Sequence, residues 1–148
     1  MNARLPFAFA ALLLLGFAGQ AQAHCQVPCG IYDDHARIHA MLEDATTIEK
    51  ALSEMKGLVG KTDAQSFNQA ARWVATKEQH ATHIQEVVAV YFMTQRVKPG
   101  EKDTAAQLAA LHEVMVWAMK TKQSVDPANV TKLREAITKL ETWWPPKK

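Results

Sequence analysis

The stretch DDHARIHAMLEDATTIEKALSEMKG, residues 33–57, decides the fold of this chain. Its apolar residues recur at spacings of three and four, the period of one face of an amphipathic helix. Asp33 or Asp34 is a suitable N-cap. Gly57 or Gly60 is a suitable stop. We therefore predict a helix over most of this stretch, with an apolar face formed by Ile38, Leu42, Ala45, Ile48, Leu52 and Met55.

Three more segments with helical periodicity follow toward the C-terminus. The second begins near Thr62 or Asp63 and runs to about Arg96. The third covers roughly 102–122, and the fourth opens at Asp126-Pro127, with Asp as cap and Pro in the first turn. Their stripes are Phe67, Ala71, Val74, Ile84, Val88 and Phe92, then Leu108, Leu111, Met115 and Met119, then Val130, Leu133, Ile137 and Leu140. Short connections between four helices predict an all-α, antiparallel (up-down-up-down) four-helix bundle.

The first 23 residues have the pattern of a cleaved export signal. Arg4 gives a positive start, residues 7–17 form an apolar run, and Ala21-Gln22-Ala23 is a small-x-small cleavage site. The run is shorter than the roughly 20 residues of a spanning helix, which disfavours an uncleaved anchor. We predict cleavage between Ala23 and His24 and a periplasmic or secreted mature protein. The predicted organisation is a leader (1–23), an irregular N-terminal metal-binding hook (24–32) and the four-helix bundle (33–148).

The charge balance of the chain is close to neutral. The 148 residues contain 17 Lys and Arg against 15 Asp and Glu, and without Arg4 of the leader the count is 16 against 15. A nucleic-acid-binding domain needs a clustered basic face, so this class of function is disfavoured. No second apolar run is long enough to span a bilayer, so we expect no membrane contact after cleavage.

The segment HCQVPCGIY, residues 24–32, carries the candidate chemistry. Cleavage would give His24 a free α-amine with a pKa near 8. This amine, the His24 imidazole and the thiolates of Cys25 and Cys29 would then lie within six residues of each other. The amide between His24 and Cys25 is a further nitrogen ligand if a metal deprotonates it. An amine, an amide nitrogen and two sulfurs suit a square plane around Ni(II) or Cu(II).

Two other interpretations of this segment stay open from the residues alone. Pro28 and Gly30 favour a turn that brings Cys29 back beside Cys25, and such a turn serves a small disulfide loop as well as a metal site. Zinc is the other alternative, although structural zinc usually takes ligands from two separated elements. The position of His24 at the predicted cut favours the square-planar metal site.

The same segment resembles the hook of the nickel superoxide dismutases, whose mature chain opens His-Cys-x-x-Pro-Cys-Gly-x-Tyr. Arg72 followed by Lys77-Glu78-Gln79 is similar to the family's second helix. The resemblance implies a homohexamer with one nickel ion per subunit. It also implies disproportionation of superoxide to dioxygen and hydrogen peroxide by Ni(II)/Ni(III) cycling.

The resemblance also implies roles for individual hook residues. The ligands are the amine and imidazole of His24, the amide nitrogen and thiolate of Cys25, and the thiolate of Cys29. Tyr32 lies near the open face, where it helps to position superoxide or water. His24 and Tyr32 are thus the candidate catalytic residues.

The chain departs from the family pattern at two places. Gln26 replaces an acidic residue of the hook. The segment after Tyr32 is one residue shorter, so His39 falls where some members have a glutamate that orients the axial imidazole. A partner of this kind fixes the tautomer and basicity of a metal ligand. We therefore expect His39 to replace this carboxylate and Arg72 to contact the same network.

Five further histidines are candidate metal ligands or core residues. His35 and His39 are four apart on one helical face, and His80 and His83 are three apart on another. No cluster of acidic residues or cysteines completes either pair, which favours solvated or capping histidines over a metal site. His112 lies near an apolar stripe and is expected in the core or an interface.

Two rival functions remain beside the enzyme. One is an exported nickel- or copper-binding carrier or sensor that uses the hook without turnover, and the other is a helical domain with an N-terminal disulfide loop. Tyr32, Pro28 and Gly30 favour the enzyme, because a simple carrier does not need them. The expected partners are superoxide as substrate, further copies of the chain and a leader-processing peptidase.

Overall fold

A computed structural model describes residues 30–146, and the regular elements in that range are all helical. They are α1 (Asp34–Lys56), α2 (Ala64–Glu86), a π-helix that continues α2 (Val87–Arg96), α3 (Thr104–Gln123), α4 (Ala128–Lys139) and a 3₁₀ turn (Leu140–Thr142). The predicted all-α class and the four predicted helical segments are confirmed. The predicted leader and the hook residues His24, Cys25 and Cys29 lie outside the described residues.

The four helices pack as a bundle. α1 lies against α2 and α4, and α3 lies against the same two helices. Phe92 is central to the core, with its ring centroid 5.0 Å from that of Tyr91 and 4.8 Å from that of Trp144. The predicted stripe of α4 is buried throughout. Other large buried side chains are Ile38, Met41, Ile48, Ile84 and Leu111.

Aspartate side chains cap the first two helices at the positions that the sequence predicts. Asp33 Oδ1 accepts a hydrogen bond from Ala36 N at 3.1 Å, and Asp63 Oδ1 accepts one from Ser66 N at 2.9 Å. Each bond satisfies a backbone N–H that has no partner within the helix. Gly57 ends α1, as predicted. The helix therefore begins at a defined residue directly after the hook.

The predicted inward face of α3 was wrong. Leu108 and Met119 are 38% and 40% exposed, whereas Ala110, Val114 and Ala118 are buried with Leu111. α3 is apolar on most of its circumference, so its stripe does not specify which face turns inward. The small side chains of the two alanines allow the neighbouring helices to approach closely.

The prediction for the first half of α2 was also wrong, because its apolar residues lie largely on the surface. Phe67 is 77% exposed and Val74 is 45% exposed, although Ile84 and Val88 further along the same helix are fully buried. Only the second half of the predicted stripe therefore packs inside the subunit. The first half leaves large apolar side chains on the surface.

The last ten residues of the predicted second helix form a π-helix instead of an α-helix. Its hydrogen bonds reach back five residues, as in the bond from Val97 N to Phe92 O at 3.0 Å. In an α-helix, residues five apart lie about 140° apart around the axis. The wider turn of the π-helix brings such residues closer to one face. Tyr91 and Arg96 are related in this way, and both contact α1.

Lys77, part of the family-like motif on α2, has a structural role. It is only 3% exposed, and its Nζ donates to Thr121 O and Glu78 Oε1, both at 2.8 Å, and to Lys122 O. Thr121 and Lys122 lie in the last turn of α3, whose carbonyl groups lack partners within the helix and carry partial negative charge. The lysine thus joins α2 to the end of α3.

Among the described residues, no helix has the length and apolar character needed to cross a membrane.

Candidate functional site

The C-terminal end of the hook is the part that the structure describes. Gly30 has a φ of +75°, a conformation that favours glycine, as the sequence predicts for this turn. Ile31 is 81% exposed, and Tyr32 is half-buried. Tyr32 directly precedes Asp33, the N-cap of α1. The hook is therefore joined without a linker to a capped helix.

The two positions expected to support the hook both lie on exposed helix surfaces. His39 is on α1, where its Nδ1 lies 3.5 Å from Glu43 Oε1 in the next turn. Arg72 is exposed on α2. Among the described residues no hydrogen bond or ion pair joins His39 to Arg72. His39 nevertheless has a carboxylate beside it, that of Glu43 in the same chain.

A partly buried clamp holds the first turn of α1, and the sequence did not reveal it. Arg96 donates from Nε and Nη2 to the two carboxylate oxygens of Asp34 at 2.7 and 2.8 Å, and Tyr91 Oη donates to Oδ1 at 2.7 Å. Burial of Tyr91 and its hydrogen bond to Asp34 raise the pKa of the phenol well above its usual range, so the hydroxyl stays protonated and donates. Arg37 lies 5.2 Å over the Tyr91 ring centroid. This clamp fixes α1 two residues after Tyr32.

We predict that Asp34→Asn lowers the free energy of unfolding by about 2 kcal/mol, because it removes a charge-assisted two-point contact and leaves Arg96 poorly paired. Chemical denaturation of the apoprotein measures this loss. Glu113→Gln is the matched control, since Glu113 pairs with Lys139 at 3.1 Å on the surface and the change is expected to cost under about 0.5 kcal/mol. Equal losses in the two variants would contradict a special role for the clamp.

The pair His80 and His83 has an acidic partner that its spacing did not reveal. Asp44 of α1 lies between them, with Oδ1 2.6 Å from His80 Nδ1 and Oδ2 2.7 Å from His83 Nδ1. Asp44 is 7% exposed. In the sequence, the feature that could have indicated this contact is the carboxylate of Asp44 beside the apolar stripe of α1, because a buried charge requires a partner.

His112, expected in the core or an interface, is exposed in the subunit.

The described bundle does not itself offer a complete donor set for a metal ion. Within residues 30–146, no group of three or more His, Cys, Asp or Glu side chains is placed to hold a metal ion. Both cysteines of the chain, Cys25 and Cys29, are in the hook. An amine, an amide nitrogen and two thiolates form a donor set that fits Ni(II), which accepts nitrogen ligands in a square plane.

Comparison with known proteins identifies the family. The model of the nickel-containing superoxide dismutases matches residues 19–148, which include the hook and the whole bundle. No curated protein and no solved structure matches the chain. The match covers most of the sequence, and it agrees with the hook pattern and with the four-helix fold. The chain therefore belongs to the nickel-containing superoxide dismutases, oxidoreductases that act on superoxide with a nickel cofactor.

Proposed function

We propose that the mature enzyme begins at His24 and disproportionates superoxide at its N-terminal hook. The observation that carries this proposal is the nine-residue pattern from His24 to Tyr32 in a chain whose bundle matches the family. Two superoxide ions and two protons give one dioxygen and one hydrogen peroxide, so one superoxide is oxidised and the other is reduced. When bound, nickel supplies the one-electron Ni(II)/Ni(III) couple for both halves.

The hook residues supply the donors that make this couple accessible. Cys25 and Cys29 bind as thiolates, and thiolate and deprotonated amide donors favour the higher oxidation state. His24 provides the α-amine and, as the fifth ligand, its imidazole. Tyr32 holds superoxide or water at the open face and limits access to it. The positive φ of Gly30 permits a turn that a side chain at this position would hinder.

We propose that His39 positions the His24 imidazole and that Arg72 belongs to the same network. Because Glu43 lies within ion-pair distance of His39, the pair can supply the charge that a family glutamate carries at position 39. His39→Ala is expected to lower turnover by about tenfold, the low end of the range for an orienting partner. It is also expected to change the nitrogen hyperfine splitting of the oxidised enzyme in EPR. His39→Glu is expected to restore both properties. An unchanged rate and spectrum in His39→Ala would exclude the positioning role.

The proposal extends to export and assembly. The predicted leader supports export to the periplasm or the medium, followed by cleavage by a peptidase after Ala23. The exposed apolar side chains of Phe67 and Val74 supply surface for contacts between subunits, in line with the homohexamer that the hook resemblance implies.

The decisive experiment uses the mature protein with its natural N-terminus. We expect about one nickel per chain, a rhombic Ni(III) EPR signal with nitrogen hyperfine structure, catalytic consumption of superoxide and a six-chain mass by light scattering. Tightly bound nickel without superoxide consumption would favour the carrier or sensor. A metal-free chain two protons lighter than the reduced apoprotein would favour the disulfide loop.

A further inference from the structure

We propose that His80 and His83 form a second divalent-cation site, separate from the hook, in which Asp44 holds both imidazole rings. The site lies on the surface where α1 packs against α2. It uses side chains that the superoxide chemistry does not need. Its cation is one that prefers imidazole nitrogen, such as Zn²⁺.

Asp44 determines which nitrogen of each ring is available. An ionised carboxylate only accepts hydrogen bonds, so both Nδ1 atoms, at 2.6 and 2.7 Å from it, carry a hydrogen. In a neutral imidazole the other nitrogen, Nε2, then holds the free lone pair. No described residue bonds to Nε2 of His80 or His83. The two rings therefore offer two metal-binding lone pairs with the tautomer already fixed.

This arrangement is the one by which proteins commonly support metal-bound histidines. A ligating histidine usually donates its other N–H to a carboxylate or carbonyl group, which orients the ring and raises its basicity. Asp44 does this for two rings at once, from a position that is 9% exposed at the side chain. The side chains of His80 and His83 are 33% and 52% exposed, so a cation can reach them.

The space in front of the rings is open and acidic. A cavity of about 750 Å³ is lined by Asp44 and the two histidines together with Glu86 and Glu78, of which Glu78 also pairs with Lys77. Negative charge at this rim attracts a cation. Because no third protein ligand is already in place within the described residues, water completes the coordination. Two imidazoles favour Zn²⁺, Cu²⁺ or Ni²⁺ over Mg²⁺ and Ca²⁺, which prefer oxygen.

The pair His35 and His39 differs from the pair His80 and His83 in its carboxylate partners. His35 and His39 have separate glutamate partners, Glu141 at 3.4 Å and Glu43 at 3.5 Å, and all four side chains are at least one-third exposed. No buried carboxylate is shared between those two rings. Helical spacing alone therefore does not distinguish the pairs, whereas the shared buried Asp44 does.

The test uses nickel-loaded mature protein, so that the hook is occupied, and Zn²⁺ as the probe. Equilibrium dialysis followed by metal analysis measures zinc and nickel in the same sample. We expect one zinc per chain in addition to the retained nickel. The His80→Asn, His83→Asn double variant is expected to lose this zinc. An asparagine amide can donate to Asp44 from the position of Nδ1, so the buried carboxylate stays satisfied, but it offers no Nε2 lone pair.

Two further variants complete the test. His35→Asn with His112→Asn removes two other histidines and is expected to keep the zinc. Asp44→Asn is expected to weaken zinc binding about 10- to 100-fold, as loss of an orienting partner does. The proposal is overturned if nickel-loaded protein binds no additional zinc, or if the zinc persists in the His80→Asn, His83→Asn variant. Equal loss of zinc in the control pair would also overturn it.

Discussion

Replacing either hook cysteine with serine is expected to remove nickel and to lower superoxide consumption by at least about a hundredfold. A bound metal readily deprotonates a cysteine thiol to a soft, strongly donating thiolate, whereas a serine hydroxyl stays protonated and donates weakly. Loss of an orienting partner alone costs about 10- to 100-fold in affinity or activity. Loss of a direct ligand is expected to cost more. Metal analysis and stopped-flow superoxide decay on Cys25→Ser and Cys29→Ser measure the effect.

The two cysteine variants are expected to fold like the wild type, which can be measured on the same samples. Both cysteines precede residue 30, and the described core of the bundle contains none. The far-UV circular dichroism and the unfolding midpoint of the metal-free variants are therefore expected to match those of metal-free wild type. A serine variant that keeps one nickel per chain and full activity would contradict the ligand assignment. A variant that loses activity only because it unfolds would be recognised by its lost helical signal.

The helices of this protein were predictable because local features define them. Asp33 and Asp63 cap their helices with their own side chains, and Gly57 ends the first helix. The stripe of α4 is unambiguous because polar residues cover its other faces. α3 lacks such a polar face on most of its length, so its rotation is set by the neighbouring helices and could not be predicted from its own residues.

The contacts that shape the candidate sites depend on pairs far apart in the sequence. Asp34 meets Arg96 across 62 positions, and Tyr91, five residues before Arg96 on the π-helix, shares that partner. Asp44 meets His80 across 36 positions. Asp44 is a charged residue at a buried position, which shows that a partner exists but does not identify it. Asp34 and Arg96 are only partly buried, so burial gives a weaker indication of their contact. The hook stays a prediction, and it could be made from the sequence because its candidate donors, His24, Cys25 and Cys29, are neighbours in the chain.

A mature protein that retains one extra residue, Ala23, is expected to lose nickel binding and dismutation almost completely. The additional peptide bond converts the α-amine of His24 into an amide, whose nitrogen has no basic lone pair to offer. The imidazole and both thiolates remain, so the change removes one donor and displaces the rest of the chelate. We expect activity to fall at least about a hundredfold, because a direct ligand is lost.

The comparison requires two preparations that differ only in the position of the cut, one beginning at His24 and one at Ala23. The bundle begins ten residues beyond this cut, at α1, so both preparations are expected to unfold at the same temperature without metal. Equal nickel content and equal superoxide decay would contradict the amine as a ligand. The expected difference would make cleavage a step in building the metal site, because an uncut chain would lack the α-amine of His24.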